Sequence, residues 1–211
     1  MEAKRKQEYK RTTDITNAMH RERMKNIRSG QVEDTRCLAF VEQICRSKGM
    51  TMKKFGAAAG ISQQMMTWYF KVKDNCRLSV LKNLFEANEM AIIPGVEILQ
   101  QSEVKTITPK VTIIINHTPQ GISKTGPDWF MATKDESHPL HILWKIYENS
   151  SAKTFTEFLK HINMTNDAGA LIKNTRSTLN YTVNKNDIDV KMLTEIAQSL
   201  NLILTWTVIE Q

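Results

Sequence analysis

A mainly α-helical fold is what this sequence predicts: two diverged copies of one helical unit, a short β-containing segment between them, and a closing strand. Three observations carry that expectation. Apolar residues recur at helical spacing in separated blocks, Leu38, Val41, Ile44 and Cys45 with Leu78, Leu81, Leu84 and Phe85, then Ile142, Leu143, Ile146 and Tyr147. Residues 154–166 match 51–63 at a constant offset, with Phe158 on Phe55, Asn163 on Gly60, Met164 on Ile61 and Thr165 on Ser62. Between the blocks, Val96, Ile98, Val104, Ile107, Val111, Ile113 and Ile115 make β-prone runs broken by Pro109 and Pro119.

In chain order, residues 1–35 form a basic arm or solvated helix. Residues 36–95 form the first helical domain, 96–136 the β-containing linker, and 137–211 the second, diverged domain. Within the first, 37–48 is a helix stopped by Gly49. The stripe from Leu78 to Phe85 is a closing helix, and Pro94-Gly95 is expected to terminate it. The segment 117–128 reads as a loop from its Gly and Pro content. In the second domain, 141–149 is a helix, 192–202 matches 80–90, and 202–209 is a strand whose edge invites a partner.

The 211 residues carry a net charge of +7, and its placement is informative. Residues 1–30 contribute +5, 31–95 contribute +3, 96–136 contribute −1, and 137–211 are neutral. The positive excess therefore lies in the arm and the first domain, the pattern of a polyanion-binding half. Cys37, Cys45 and Cys76 cannot all pair and lack metal-finger spacing, so reduced thiols are expected. No apolar run follows the initial Met-Glu-Ala-Lys-Arg-Lys, and the aliphatic run at 111–115 is too short to span a bilayer. A cytoplasmic protein without membrane association is the expectation.

Residues 51–70 concentrate the functional signal. Thr51 can cap a short helix with Phe55 as its core anchor, and Gly60 can take the left-handed conformation that ends it. Ser62 can then cap a second helix, while Ala57, Ala58 and Ala59 keep the first thin enough to be crossed closely. Two short helices joined by such a turn are a helix-turn-helix layout. The second helix, 62–70, opens with Gln63 and Gln64, whose amides can pair bidentately with adenine N6 and N7 in the major groove. Thr67 and Trp68 lie one turn on. Met66 and Tyr69 are expected inside.

On Gly49, Phe55, the Gly60-Ile61-Ser62 turn, Gln63-Gln64 and the later Leu78, Leu81, Leu84 and Phe85, this stretch resembles the lambda-repressor/Cro-type helix-turn-helix domain of phage and bacterial regulators. The resemblance implies double-stranded DNA as partner and transcriptional control as function. It implies base contacts from Gln63, Gln64, Thr67 and Trp68, and phosphate contacts from Lys53, Lys54, Lys71, Lys73 and Arg77. An architectural DNA-binding protein, or a phage or antitoxin-like interaction adaptor, is the alternative.

The second copy resembles the same domain, with its reading segment at 165–173. Asn163 there is expected to supply the left-handed turn. Asp167 would repel phosphates and Gly169 would weaken the helix, so assembly, including homodimer formation, is the main role expected of 137–211. Asn166, Lys173 and Arg176 are the candidate residues for a weak second DNA site. His138 and His141 share a helical spacing but lack Cys or carboxylate partners, and Asp187 and Asp189 read as capping residues. No Ser-His-Asp order, phosphate-cradling Gly loop or nuclease-like carboxylate set occurs, so no catalytic site, metal or cofactor is expected.

Overall fold

The structure, a computed structural model, describes Ala18, Arg21, Glu22 and Lys25 and residues 36–98, 124–165 and 171–210. Those four residues of the arm are helical and exposed. The rest of 1–35, the β-prone positions Val104 to Ile115, most of the 117–128 loop, and Asn166, Asp167 and Gly169 lie outside the described residues. The described chain is mainly helical with one two-stranded antiparallel sheet. It divides into two compact units, Met1–Cys76 with Val80–Met90, and Arg77–Ser79 with Ala91–Gln211.

The first unit is built on α1 (Ala39–Ser47), α2 (Met52–Ala58), α3 (Gln63–Thr67) and most of α4 (Leu78–Glu86). Leu38, Val41 and Cys45 of the predicted stripe are buried, and Gly49 leaves α1 at φ 64°. Phe55 and Phe85 are fully buried and meet edge to face at 5.3 Å between ring centroids. Each contributes on the order of 2 kcal/mol from removing apolar surface from water. Asn88 ties this pair together, its amide donating to Phe55 O at 3.0 Å and Leu84 O at 2.7 Å.

Two expectations about this unit need correcting. Helix α4 ends at Glu86, followed by Glu89 at φ 58°; Pro94 and Gly95 lie inside strand β1 (Met90–Ile98). A proline fits there because a two-stranded sheet leaves each strand an edge with no ladder bond to lose. Nor do the alanines set the helix crossing, since Ala57 and Ala58 are exposed. The close approach belongs to buried Gly56, where a Cβ would stand 2.4 Å from Met66 Cγ and 3.2 Å from Ile61 O.

The second unit contains α5 (Asp128–Met131), running into a 3₁₀ turn, then α6 (His141–Asn149), α7 (Phe155–His161), α8 (Thr175–Asn184) and α9 (Val190–Ser199). Strand β2 (Leu202–Glu210) follows and pairs with β1, so the C-terminal strand finds its partner within the chain. Gly95 faces Thr205, whose Oγ1 would stand 2.8 Å from a Cβ there. Phe130, from the span expected to be linker, is fully buried among Trp144, Tyr147, Phe155 and Phe158. Lys124 fixes the approach: its ammonium donates to Ser150 O at 2.6 Å and lies 4.9 Å from the Tyr147 ring centroid, at the carbonyl end of α6. Burial lowers the pKa of this ammonium.

The second copy keeps its first two helices and then departs from the expected pattern. Thr154 caps α7 by accepting Glu157 N–H, and Glu157 in turn accepts Lys153 N–H at 2.7 Å. After α7 the chain leaves extended, with Ile162 at ψ 133°, and Asn163 is not among the left-handed residues. Of the segment 165–173, Thr165 and residues 171–173 are described, and none of them is helical. Thr165 bridges Leu171, and residues 171–174 are non-helical. Thr165 is tied instead to α9, its N–H and hydroxyl both donating to the Glu195 carboxylate, at 2.8 and 2.6 Å. Asn174 caps instead, accepting Ser177 N–H at 3.1 Å, and α8 starts at Thr175.

Candidate functional site

The expected reading surface is assembled from α2, the Gly60 turn and α3. Thr51 Oγ1 accepts Lys54 N–H and Ser62 Oγ accepts Met65 N–H, each at 3.2 Å, while Gly60 stands at φ 69°. These three local devices place Gln63 and Gln64 in the first turn of α3, both exposed, with Met66 buried beneath against Gly56. Thr67 is half-buried, and its hydroxyl donates to Gln63 O at 3.0 Å. Tyr69 is half-buried and Phe70 buried.

Helix α3 continues into a π-helical turn, Trp68–Lys73. In such a turn the i→i+5 spacing brings residues five apart onto one face. Lys73 accordingly lies 5.8 Å from the Trp68 ring centroid, a cation–π arrangement that an α-helical continuation would not give. Trp68 is 39% exposed, beside Met65 at 41% and Val72 at 39%.

Asp74, at φ 48°, closes the π turn. Its carboxylate accepts Cys37 N–H at 2.9 Å and Leu38 N–H at 3.2 Å, anchoring the end of the π turn to the start of α1. Burial pushes its pKa up, against the lowering effect of those N–H groups and of Arg36. Burial and the neighbouring Asp74 push the Cys37 thiol far up, and burial pushes Cys45 up to about 11, so both thiols stay protonated.

The charges on this surface are one-signed. Lys53, Lys54, Lys71 and Lys73 are exposed, and among the described residues no carboxylate pairs with Lys53, Lys54 or Lys71. Two acids of the unit are engaged elsewhere, Glu42 with Arg36 at 3.0 Å and Arg46 at 3.7 Å, and Asp74 with backbone. Lys53 and Lys54 occupy the first turn of α2, where a cation opposes the helix dipole and costs roughly 0.3–1 kcal/mol. Their position is not explained by helix stability.

The remaining sequence-predicted residues separate from this group. Arg77 belongs to the second unit, where its Nε lies 3.5 Å from Asp189 Oδ1. Asp189 precedes α9 without a side-chain cap bond, whereas Asp187 accepts Ser79 N–H at 3.1 Å and its hydroxyl at 2.7 Å. Lys173 and Arg176 are exposed around the start of α8. His138 Nδ1 accepts Leu140 N–H at 3.0 Å, with its pKa lowered by burial, and His141 Nδ1 lies 3.0 Å from Thr133 O. Both rings are thus used in turns. Among the described residues, no three His, Cys, Asp or Glu side chains gather to hold a metal, and no helix is long and apolar enough to cross a membrane.

Sequence reasoning missed Gly56 and Asp74. A glycine inside a helix costs about 1 kcal/mol and calls for a packing reason, which was a usable signal for Gly56. Asp74 carried none, because its partners stand 36 and 37 residues away. No family model, curated protein or solved structure matches this chain.

Proposed function

We propose that the first unit is a helix-turn-helix reader of double-stranded DNA and that the chain is a sequence-specific transcriptional regulator. One observation carries the reading: Gln63 and Gln64 stand exposed at the capped start of α3, with Lys53 and Lys54 on α2 and no carboxylate paired to either lysine among the described residues. The amides supply directional donor and acceptor pairs for base edges, and the lysines supply sequence-independent attraction to phosphate. Lys71 and Lys73 extend that attraction along the π turn, where Trp68 offers an aromatic face.

Selecting random duplexes on the purified protein and measuring binding to the enriched site tests this. Gln63→Ala and Gln64→Ala are each expected to weaken that site by about 1–3 kcal/mol and to leave affinity for random duplex nearly unchanged. Equal losses on both duplexes would leave an architectural binder. A second reading, an adaptor that binds protein through α3, is favoured by the exposed apolar group Met65, Trp68 and Val72. Absence of any duplex binding at low salt would select it.

A further inference from the structure

The relocated third helix of the second copy changes what that copy can do. The expectation that Asp167 and Gly169 weaken DNA binding by this copy placed both inside its reading helix. That helix runs Thr175–Asn184 and contains neither. Between 171 and 186 the chain holds Lys173, Arg176 and Lys185 and no acidic residue. All three cations are exposed, and among the described residues none has a carboxylate partner. Toward the C-terminus the next acids are occupied, Asp187 by Ser79 and Asp189 by Arg77.

Helix α8 also repeats the makeup of α3 taken together with its π turn, Gln63–Lys73. Each is the third helix of its copy, each is followed by a left-handed residue, Asp74 or Asn186, and each buries one face, Met66 and Phe70 or Leu179 and Val183. Each carries an exposed aromatic covered by a later lysine: Lys73 over Trp68 at 5.8 Å, and Lys185 over Tyr181 at 5.6 Å. Tyr181 is 62% exposed and packs in no core. Ser177 and Asn184 add exposed polar groups to the same helix.

We infer that α8 is a second duplex-DNA-binding surface, with Lys173, Arg176 and Lys185 on phosphates and Tyr181 and Asn184 turned to the groove. The inference rests on the DNA-reading proposal for the first unit and extends it to a tandem reader. Charge selects the occupant: an acid-free stretch, 171–186, with one cation on α8 and one just beyond each of its ends, complements a phosphate backbone.

The test compares the intact chain with Lys173→Ala/Arg176→Ala/Lys185→Ala and with Tyr181→Ala, on the duplex selected by the intact chain. All four side chains are exposed, so thermal unfolding is expected to stay unchanged and to verify that the variants fold. The triple variant should flatten the slope of log affinity against log salt by roughly 0.9 for each phosphate it no longer neutralises. Tyr181→Ala should shorten the protected region in a footprint, leaving the bases sensitive to Gln63→Ala still protected. Duplex binding with an unchanged slope and footprint overturns this inference alone. An altered sedimentation coefficient with an unchanged slope overturns it in favour of subunit association. No duplex binding by the intact chain at low salt overturns it together with the reading it rests on.

Discussion

Gly56→Ala puts a methyl group at the point where α2 crosses α3. Its Cβ would stand 2.4 Å from Met66 Cγ and 2.8 Å from Met66 Sδ, and the side chain that must yield is itself buried. Overpacking of that kind costs about 1–3 kcal/mol. Replacing a helical glycine returns about 1 kcal/mol of propensity, which leaves a net destabilisation of up to about 2 kcal/mol. For a unit of this size that is a drop of roughly 4–8 °C per kcal/mol. Chemical denaturation with hydrogen exchange resolved by peptide would assign the loss to segments containing Phe55 and Phe85. The decisive comparison is a double-mutant cycle. With Met66→Ala in place the side-chain clash is gone and only the 3.2 Å approach to Ile61 O remains, so adding Gly56→Ala should cost clearly less than in the unaltered protein, or stabilise by up to about 1 kcal/mol. If Gly56→Ala stabilises the otherwise unaltered protein too, Gly56 is an ordinary helix glycine and does not set the crossing.

Asp74→Ala should destabilise the first unit by about 1–2 kcal/mol, because it removes both acceptors for α1 and places alanine at φ 48°, with Asp74→Asn costing less; equal urea midpoints for the two variants would contradict this. The Glu157 carboxyl is held below its ordinary pKa first by the Lys153 N–H, so its contribution is present above the usual carboxylate range and lost as pH falls through the depressed folded value. Glu157→Gln should therefore reduce stability at neutral pH and shrink its acid-induced decline, read from urea midpoints between about pH 6 and pH 2; parallel declines would remove the claim. Cys37 and Cys45 should resist alkylation at about pH 8 in the native protein and label on unfolding, checked by mass spectrometry; native labelling at the rate of an exposed thiol would refute their placement.

The surface built from α2, the Gly60 turn and α3 was legible because its devices are short-range. Thr51 and Ser62 each cap through a bond to the residue three positions on, and Gly60 adopts its own φ. The stripes of α1 and α6 needed only the 3.6-residue period. At the second copy the same logic failed. Thr165 has the right residue type at the right offset, yet its hydroxyl meets Glu195, and the helix start moves to Asn174. Sequence similarity ranked a capping residue without the remote carboxylate that holds its N–H and hydroxyl.

By itself, the sequence determined the helical class, the internal repeat, the location of the charge and the capped start of α3. Each follows from composition or from interactions within one turn of helix. The tertiary structure decided the rest: Gly56 rather than the alanines at the crossing, Asp74 as the anchor of the π turn that follows α3, β1 as partner of β2, and α8 beginning at Thr175. Those outcomes turn on contacts between groups more than one helical turn apart along the chain. Only the folded arrangement brings such groups within reach of each other.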